Sequence, residues 1–268
     1  MISIVLVTYN RLHLLRDVVG KTLENLSNET TEVIIWNNNS DDGTRDFLEA
    51  NAKPHWKVVH HPENIGTNAF ARALGMASGS YLIELDDDVI DAPLGWDRTL
   101  RQAADSVPRA GFLAANCIDD GKSVAAEILY RRDADKYERK AIGGIPLMLG
   151  PTGGWCTITP KAVYDEVGGF VENPKFTFWH EDGAYAKRVS GAGYLCAIVE
   201  DLKVFHASGP AYSNDSSLMQ EKSAYYQWRA KRRASRHKVK CFIDMFPPIR
   251  WVNSKLKLYT IVDSHADR

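Results

Sequence analysis

The stretch Tyr81-Leu82-Ile83-Glu84-Leu85-Asp86-Asp87-Asp88-Val89 runs an apolar segment straight into three adjacent carboxylates. Preceded by Gly79-Ser80, it reads as a buried strand. Acids crowded at a strand end repel one another, and a hard divalent cation relieves that cost. On an extended strand, Asp86 and Asp88 share one face and Asp87 takes the other. Two carboxylates on one face can hold Mn2+ or Mg2+ and leave coordination positions for a substrate phosphate. A solvated acidic turn is the plain alternative, and an isolated triplet does not decide between them.

The elements around the triplet do. An apolar, β-branched run over 2–8 reads as a first strand, and 12–25 has helical spacing through Leu12, Leu15, Val18, Val19 and Leu23. Further strands are expected over 32–36, 57–60 and 81–85. Helices are expected over 44–51, where Asp41 or Asp42 is the capping candidate, and over 67–77. Strands alternating with helices imply an open, mostly parallel sheet with helices on both faces. Such sheets bind ligands at the carboxyl ends of their strands. Three polar clusters follow strands in this half: Thr8-Tyr9-Asn10-Arg11, Asn37-Asn38-Asn39-Ser40-Asp41-Asp42 and Asp86-Asp87-Asp88. The fold would bring all three to one edge.

The second half is less regular. Strands are expected over 111–116, 153–159, 195–199 and 203–206, with helices over 160–167 and from about 178 to 190. The uncharged stretch 141–160 is nearly long enough to span a membrane, but its Gly, Pro and Thr residues make it read as loop plus buried strand.

Composition sets bounds. A chain of 268 residues with a formal charge of −1 can bury a sizeable core and carries no global electrostatic bias toward nucleic acid. Its four cysteines form no Cys-x-x-Cys pair, which disfavours zinc ribbons and fits a reducing compartment. The N-terminus lacks the features of a signal peptide. A cytoplasmic location follows as the expectation.

The ordered series of short motifs resembles inverting glycosyltransferases of family 2, with a GT-A fold. The series runs Val7-Thr8-Tyr9-Asn10-Arg11, Asn38-x-Ser40-x-Asp42-Gly43-Thr44, Asn64-Ile65-Gly66, Ala77-Ser78-Gly79-Ser80-Tyr81 and Leu85-Asp86-Asp87-Asp88. It resumes at Gly168-Gly169-Phe170, Glu181-Asp182, Arg188, Gly193-Tyr194 and Val204-Phe205-His206. The resemblance implies an α/β fold of the GT-A, Rossmann-like type: a mixed, mostly parallel central sheet flanked by helices. It implies a nucleotide-sugar-binding half over 1–100, an acceptor-binding and catalytic half over 101–210, and a basic helical C-terminal extension over 211–268 outside the family core.

The resemblance also implies roles. Asp86 and Asp88 match a metal-binding Asp-x-Asp pair that grips the donor diphosphate through Mn2+ or Mg2+, with Asp87 beside them at the donor. Thr8, Tyr9, Asn10 and Arg11 match a loop lying along the nucleotide. Asn64 and Gly66 match a segment closing on ribose and base, and Arg72 follows it. Asp182 matches the general base, Glu181 its acidic neighbour, and His206 a further metal or diphosphate ligand. Where the family often places a base-binding acid after the second strand, this chain has Asn37, with Asn39 two residues on. An amide there can still accept the uracil N–H, so a UDP-sugar remains the expected donor, with thymidine or guanosine donors also open.

Each role has a plainer alternative. Glu181 and Asp182 would also serve simply to cap a helix. The aromatic neighbours Phe178 and Trp179 would bury Asp182 and raise its pKa. His206 would otherwise be a hydrogen-bonded core residue, and His180 and the pair His60-His61 are read as structural. Trp155 and Trp179 are candidate acceptor contacts, and would otherwise be core. Gly153-Gly154 would let backbone approach the donor sugar. The stretch 222–240 is basic and interleaved with Tyr225, Tyr226 and Trp228, and reads either as a solvated helix face or as peripheral contact with an anionic membrane or lipid-linked acceptor. No nucleic-acid motif accompanies it.

Competing functions remain. A sugar-1-phosphate nucleotidyltransferase would want a Gly-rich loop after the first strand. A phosphotransferase would place its Asp-x-Asp after the first strand, followed two residues on by Thr, where this chain has Ile90. A non-catalytic nucleotide-sugar binder would keep Asp86 and Asp88 but have no need of Asp182.

Overall fold

The computed structural model describes residues 1–118, 137–207 and 216–245. A 10-stranded mixed sheet organises the first of two units, which divide between Asn214 and Asp215. The strands are β1 (Ile2–Thr8), β2 (Thr30–Asn37), β3 (Trp56–His60), β4 (Tyr81–Asp86), β5 (Val89–Asp91), β6 (Ala110–Ile118), β7 (Glu138–Ile142), β8 (Ile145–Leu149), β9 (Cys156–Pro160) and β10 (Leu195–His206). Their order is β3-β2-β1-β4-β9-β6-β10-β8-β7, with β5 added to β10. The first four strands are parallel, as are β6 and β10; β9 runs antiparallel between the two groups.

Helices cover both faces: α1 (Leu12–Asp17), α2 (Thr44–Asn51), α3 (Asn68–Gly75), α4 (Trp96–Ser106), α5 (Lys161–Glu166) and α6 (Glu181–Gly191). The period of two in β1 divides the core. Ile4 and Leu6 pack with Leu15, Val18, Trp96 and Leu100 on one face. Val5 packs with Phe70, Leu74, Tyr164 and Tyr185 on the other. The second unit contributes a helix, α7 (Ser216–Met245), which contains the basic stretch.

Several expectations need correction. The helix expected over 12–25 stops at Asp17 and continues as a wider π-turn over Val18–Thr22, closed by Leu23 N–H donating to Val18 C=O. That turn leaves the Thr22 carbonyl to accept from Trp96 Nε1 (2.9 Å) and lets its hydroxyl donate to Val89 C=O (2.6 Å). It therefore anchors the strand that follows the acid triplet. The expected strands over 195–199 and 203–206 are one strand, β10, whose register against β6 shifts between Val199 and Lys203. The stretch read as loop plus buried strand holds the turn and second strand of the β7–β8 hairpin, turning at Gly143 and Gly144 with φ of 60° and 78°. Left-handed values at both positions are what a two-residue hairpin turn requires.

Candidate active site

Register alone gathers the polar clusters. Val7 is level with Asp86, Thr8 with Asn37, and Asn37 with His60, so the carboxyl ends of the first four strands share one edge. Strand β4 ends at Asp86, and the chain turns through Asp87 and Asp88 into β5. There β5 pairs antiparallel with β10, placing Val89 level with His206, while Ala207 N–H donates to Asp88 C=O (2.7 Å). That pairing brings a residue more than a hundred positions away against the triplet.

His206 Nε2 lies 3.0 Å from Asp88 Oδ1 and 3.8 Å from Asp86 Oδ2. One ligand atom from each of the three residues falls within 4.8 Å of the others. Asp88 is fully buried, and its Oδ1 lacks an aligned hydrogen bond despite the nearby imidazole. Two buried or half-buried carboxylates and one imidazole converging on one point make a donor set that suits Mn2+ or Mg2+. The alternation expected for Asp87 does not extend past the strand end. Arg11 Nη1 bridges Asp87 Oδ1 (2.7 Å) and Asp88 Oδ2 (3.3 Å).

The electrostatics follow from burial and these two cations. Burial pushes Asp87 up to about 6 against the pull of Arg11. Asp86 keeps about a third of its side chain exposed (34%), yet lost hydration still raises it, with His206 opposing. Asp88 goes the other way: burial would raise it, but His206 and Arg11 outweigh that and hold it low. Burial would lower His206, but the charges of Asp88 and Asp86 prevail and push it up to about 10.

Glu181 and Asp182 open α6. Asp182 Oδ2 accepts from Gly154 N–H (3.2 Å) and Oδ1 from Gly183 N–H (2.6 Å). Glu181 is buried with Oε2 unpartnered among the described residues, and burial together with the Asp182 charge raises it well above the ordinary carboxyl range. Glu84, on β4, escaped the sequence reading. It is buried, its Oε2 also without a partner among the described residues, and is raised by burial and by the charges of Glu181, Asp182 and Asp86. Its signal was available: a lone acid inside an otherwise apolar strand.

The expected nucleotide side is a network of loops. Thr8 is buried, its hydroxyl without an aligned partner among the described residues. Tyr9 is half-buried. Asn10 (φ 51°) takes Ser40 Oγ on its N–H (3.0 Å) and Asp41 N–H on its Oδ1 (2.8 Å). Asn39 is exposed with φ 66°. Asn37 is buried, its Oδ1 accepting from Ser40 N–H (2.9 Å) and its Nδ2 lying 3.0 Å from His60 Nδ1. Asp42 receives Leu12 N–H on one oxygen and Thr44 on the other; burial would raise it, but these hydrogen bonds hold it below its ordinary value.

Asn38 and Asn68 were passed over as site residues and prove to be connectors. Buried Asn38 donates to Asn64 Oδ1 (2.8 Å) and to Gly66 C=O (3.2 Å). Asn68 donates to the carbonyls of Asn173 and Phe176 and accepts from Trp179 Nε1 (3.0 Å). Gly66, at φ 60°, lies so close to Thr177 that a Cβ would sit 2.1 Å from its carbonyl oxygen. Arg72 makes an exposed paired contact with Glu172 (2.9 and 3.0 Å). Trp155 Nε1 donates to Ala115 C=O (2.8 Å), and its own carbonyl accepts from Asp86 N–H (2.8 Å).

A sheet of this order, with acids and a histidine at its carboxyl edge, defines a GT-A glycosyltransferase fold. Residues 3–142 match the profile of Glycosyl transferase family 2, and the chain belongs to that family. No curated protein sequence matches it. Among solved structures, S. aureus TarS (residues 1–349) is similar at TM-score 0.56 and 17% identity, over 79% of this chain and 61% of that one. The mannosyltransferase PcManGT from Pyrobaculum calidifontis, in complex with GDP-Man and Mn2+, is similar at TM-score 0.55 and 18% identity, over 92% and 66%. GalNAc-T7 with UDP, GalNAc and Mn2+ gives TM-score 0.55 and 15% identity, over 77% and 43%. The chain thus spans about three fifths of the TarS fragment. Among the described residues no helix is long and apolar enough to cross a membrane.

Proposed function

We propose that this chain is a metal-dependent inverting glycosyltransferase that moves a sugar from a nucleoside-diphosphate donor, a UDP-sugar first, to a hydroxyl of a glycan or lipid-linked sugar. The observation that carries this is the cluster of Asp86, Asp88 and His206 at the same sheet edge as a separately held carboxylate, Asp182. Solved neighbours support the donor class: TarS has been captured with UDP and with UDP-GlcNAc, and PcManGT with GDP-Man and Mn2+.

In this reading Asp86, Asp88 and His206 would hold Mn2+ or Mg2+, which would supply positive charge beside the leaving diphosphate. Asp182 accepts the proton of the acceptor hydroxyl as the new O–C1 bond forms and the C1–diphosphate bond breaks. Arg11 keeps Asp87 and Asp88 in place. Thr8, Tyr9, Asn10, Asn37, Asn39, Asn64, Gly66 and Arg72 border the nucleotide, and Trp155 and Trp179 the acceptor side. Residues 1–100 form the donor half, 101–210 the acceptor half, and 211–268 a basic extension whose stretch 222–240 meets an anionic membrane surface. In α7, Arg229 is half-buried, whereas Lys231, Arg232, Arg233, Arg236 and Lys238 are exposed, with Arg232 5.3 Å over the Trp228 ring.

The test is a screen of UDP-glucose, UDP-GlcNAc and GDP-mannose with Mn2+, reading binding by calorimetry and nucleoside-diphosphate release by turnover. At least one donor should bind and be turned over only with metal present. A nucleotidyltransferase would instead release pyrophosphate from a nucleoside triphosphate and a sugar 1-phosphate, and that result would displace this reading.

A further inference from the structure

The loop between β8 and β9 touches both halves of the site. Trp155 C=O accepts from the backbone N–H of Asp86, and one residue earlier Gly154 N–H donates to Asp182 Oδ2 (3.2 Å). Both anchors are themselves fixed. Thr157 Oγ1, buried on β9, donates to Gly153 C=O (2.6 Å), and Trp155 Nε1 donates to Ala115 C=O on β6 (2.8 Å). The loop therefore has almost no freedom to slide.

It also has no room for a side chain at Gly153 or Gly154. A Cβ at Gly154 would lie 2.3 to 2.4 Å from the carboxyl group of Glu84. Glu84 cannot readily swing clear, because it is 3% exposed on a strand flanked on both sides by β1 and β9. A Cβ at Gly153 would meet the Trp155 ring at 2.6 Å and Asp182 Oδ2 at 3.1 Å. Backbone comes this close only where glycine allows it.

We infer that Gly153, Gly154 and Trp155 form a positioning strap that fixes the aim of the Asp182 carboxylate relative to the metal ligand Asp86. The inference rests on the reading of Asp182 as the base. Asp182 has one oxygen on Gly183 N–H at the helix start and the other on the strap, so its rotation is set from two elements. Gly154 acts only through its N–H on Asp182 Oδ2 and touches neither donor nor acceptor in this account. Its part is to present an N–H where a side chain would force the strap away from Asp182, and displacements of about an ångström can cost roughly 10²-fold in rate.

Two measurements on the full chain test this. In 15N-labelled protein, the Gly154 amide resonance should move on Asp182→Asn, and an unmoved resonance overturns the strap whatever the protein catalyses. In turnover with the donor used fastest in the screen above, Gly154→Ala should lower kcat by about 10²-fold while donor Kd stays within about threefold. Measured against Glu84→Ala alone, the pair Gly154→Ala with Glu84→Ala should lose far less, because the clash is gone; paired with Glu84→Gln, which keeps the bulk, Gly154→Ala should lose as much as before. Unchanged kcat in Gly154→Ala, a rise in Kd that accounts for the loss, or failure of Glu84→Ala to relieve it overturns the inference. A wild-type protein that turns over no donor brings down the base reading instead, and the amide measurement still decides the contact.

Discussion

The two ends of the proposed site, the metal end and the base end, are held by different means. Asp86 is the last residue of a central strand, and His206 reaches Asp88 because β5 pairs with β10. Backbone ladders on several strands fix those positions. Asp182 sits instead at the start of α6, beside a loop, and is oriented by two N–H groups. A geometry set by ladders survives the loss of a side chain, so substitutions at the metal end should remove affinity and leave shape intact. A geometry set by single hydrogen bonds should lose rate through small movements. The two ends should therefore fail in different kinetic parameters.

The largest expected effect is at the base. Asp182→Asn keeps the size and removes the proton acceptor, so turnover should fall by roughly 10²–10⁴-fold with donor Kd changed only a few-fold. Near-normal turnover would remove Asp182 from that role. Next comes Asp88→Asn, which should weaken metal-dependent donor binding by more than the roughly 10–100-fold typical of losing an outer-shell partner, and make the residual binding indifferent to Mn2+. If both substitutions lowered kcat and affinity alike, the division between the two ends would be wrong.

Arg11 sharpens the contrast. It contacts Asp87 and Asp88, so Arg11→Gln should weaken Mn2+ binding about 10–100-fold even without nucleotide. Intact Mn2+ affinity with lost nucleotide affinity would move Arg11 to the nucleotide instead. The smallest effect lies in the second unit. Replacing Arg232, Arg233 and Arg236 with Gln should reduce sedimentation with anionic vesicles, most at low salt, and leave donor turnover unchanged. Wild-type protein that ignores such vesicles at low salt would leave α7 as a solvated helix.

The sheet edge that gathers the acid triplet was legible in the sequence and the surroundings of Asp182 only partly so, for the same physical reason. Buried parallel strands write themselves as apolar runs, and their carboxyl ends follow from topology, so the positions of Thr8, Asn37 and Asp86 could be read without coordinates. The hairpin over β7 and β8 went unread because its turn and second strand fall in the uncharged stretch 141–160 while its first strand begins before it, although Gly143-Gly144 between Ile142 and Ile145 is a hairpin signal when read as a turn. Helix α4 went unread despite Trp96, Leu100, Ala103 and Ala104 at helical spacing. Glu84, Asn38 and Asn68 act through contacts with residues distant in sequence, which no local pattern encodes. The approach of Gly154 to both Glu84 and Asp182 belongs to the same class.

The most direct test of the metal-dependent donor site is calorimetric binding of the preferred nucleotide sugar to wild-type protein, with Mn2+ and then with excess chelator. The account predicts saturable binding with Mn2+ that chelator abolishes and added Mn2+ restores, and no such response in Asp88→Asn. Equal binding in chelator would contradict it.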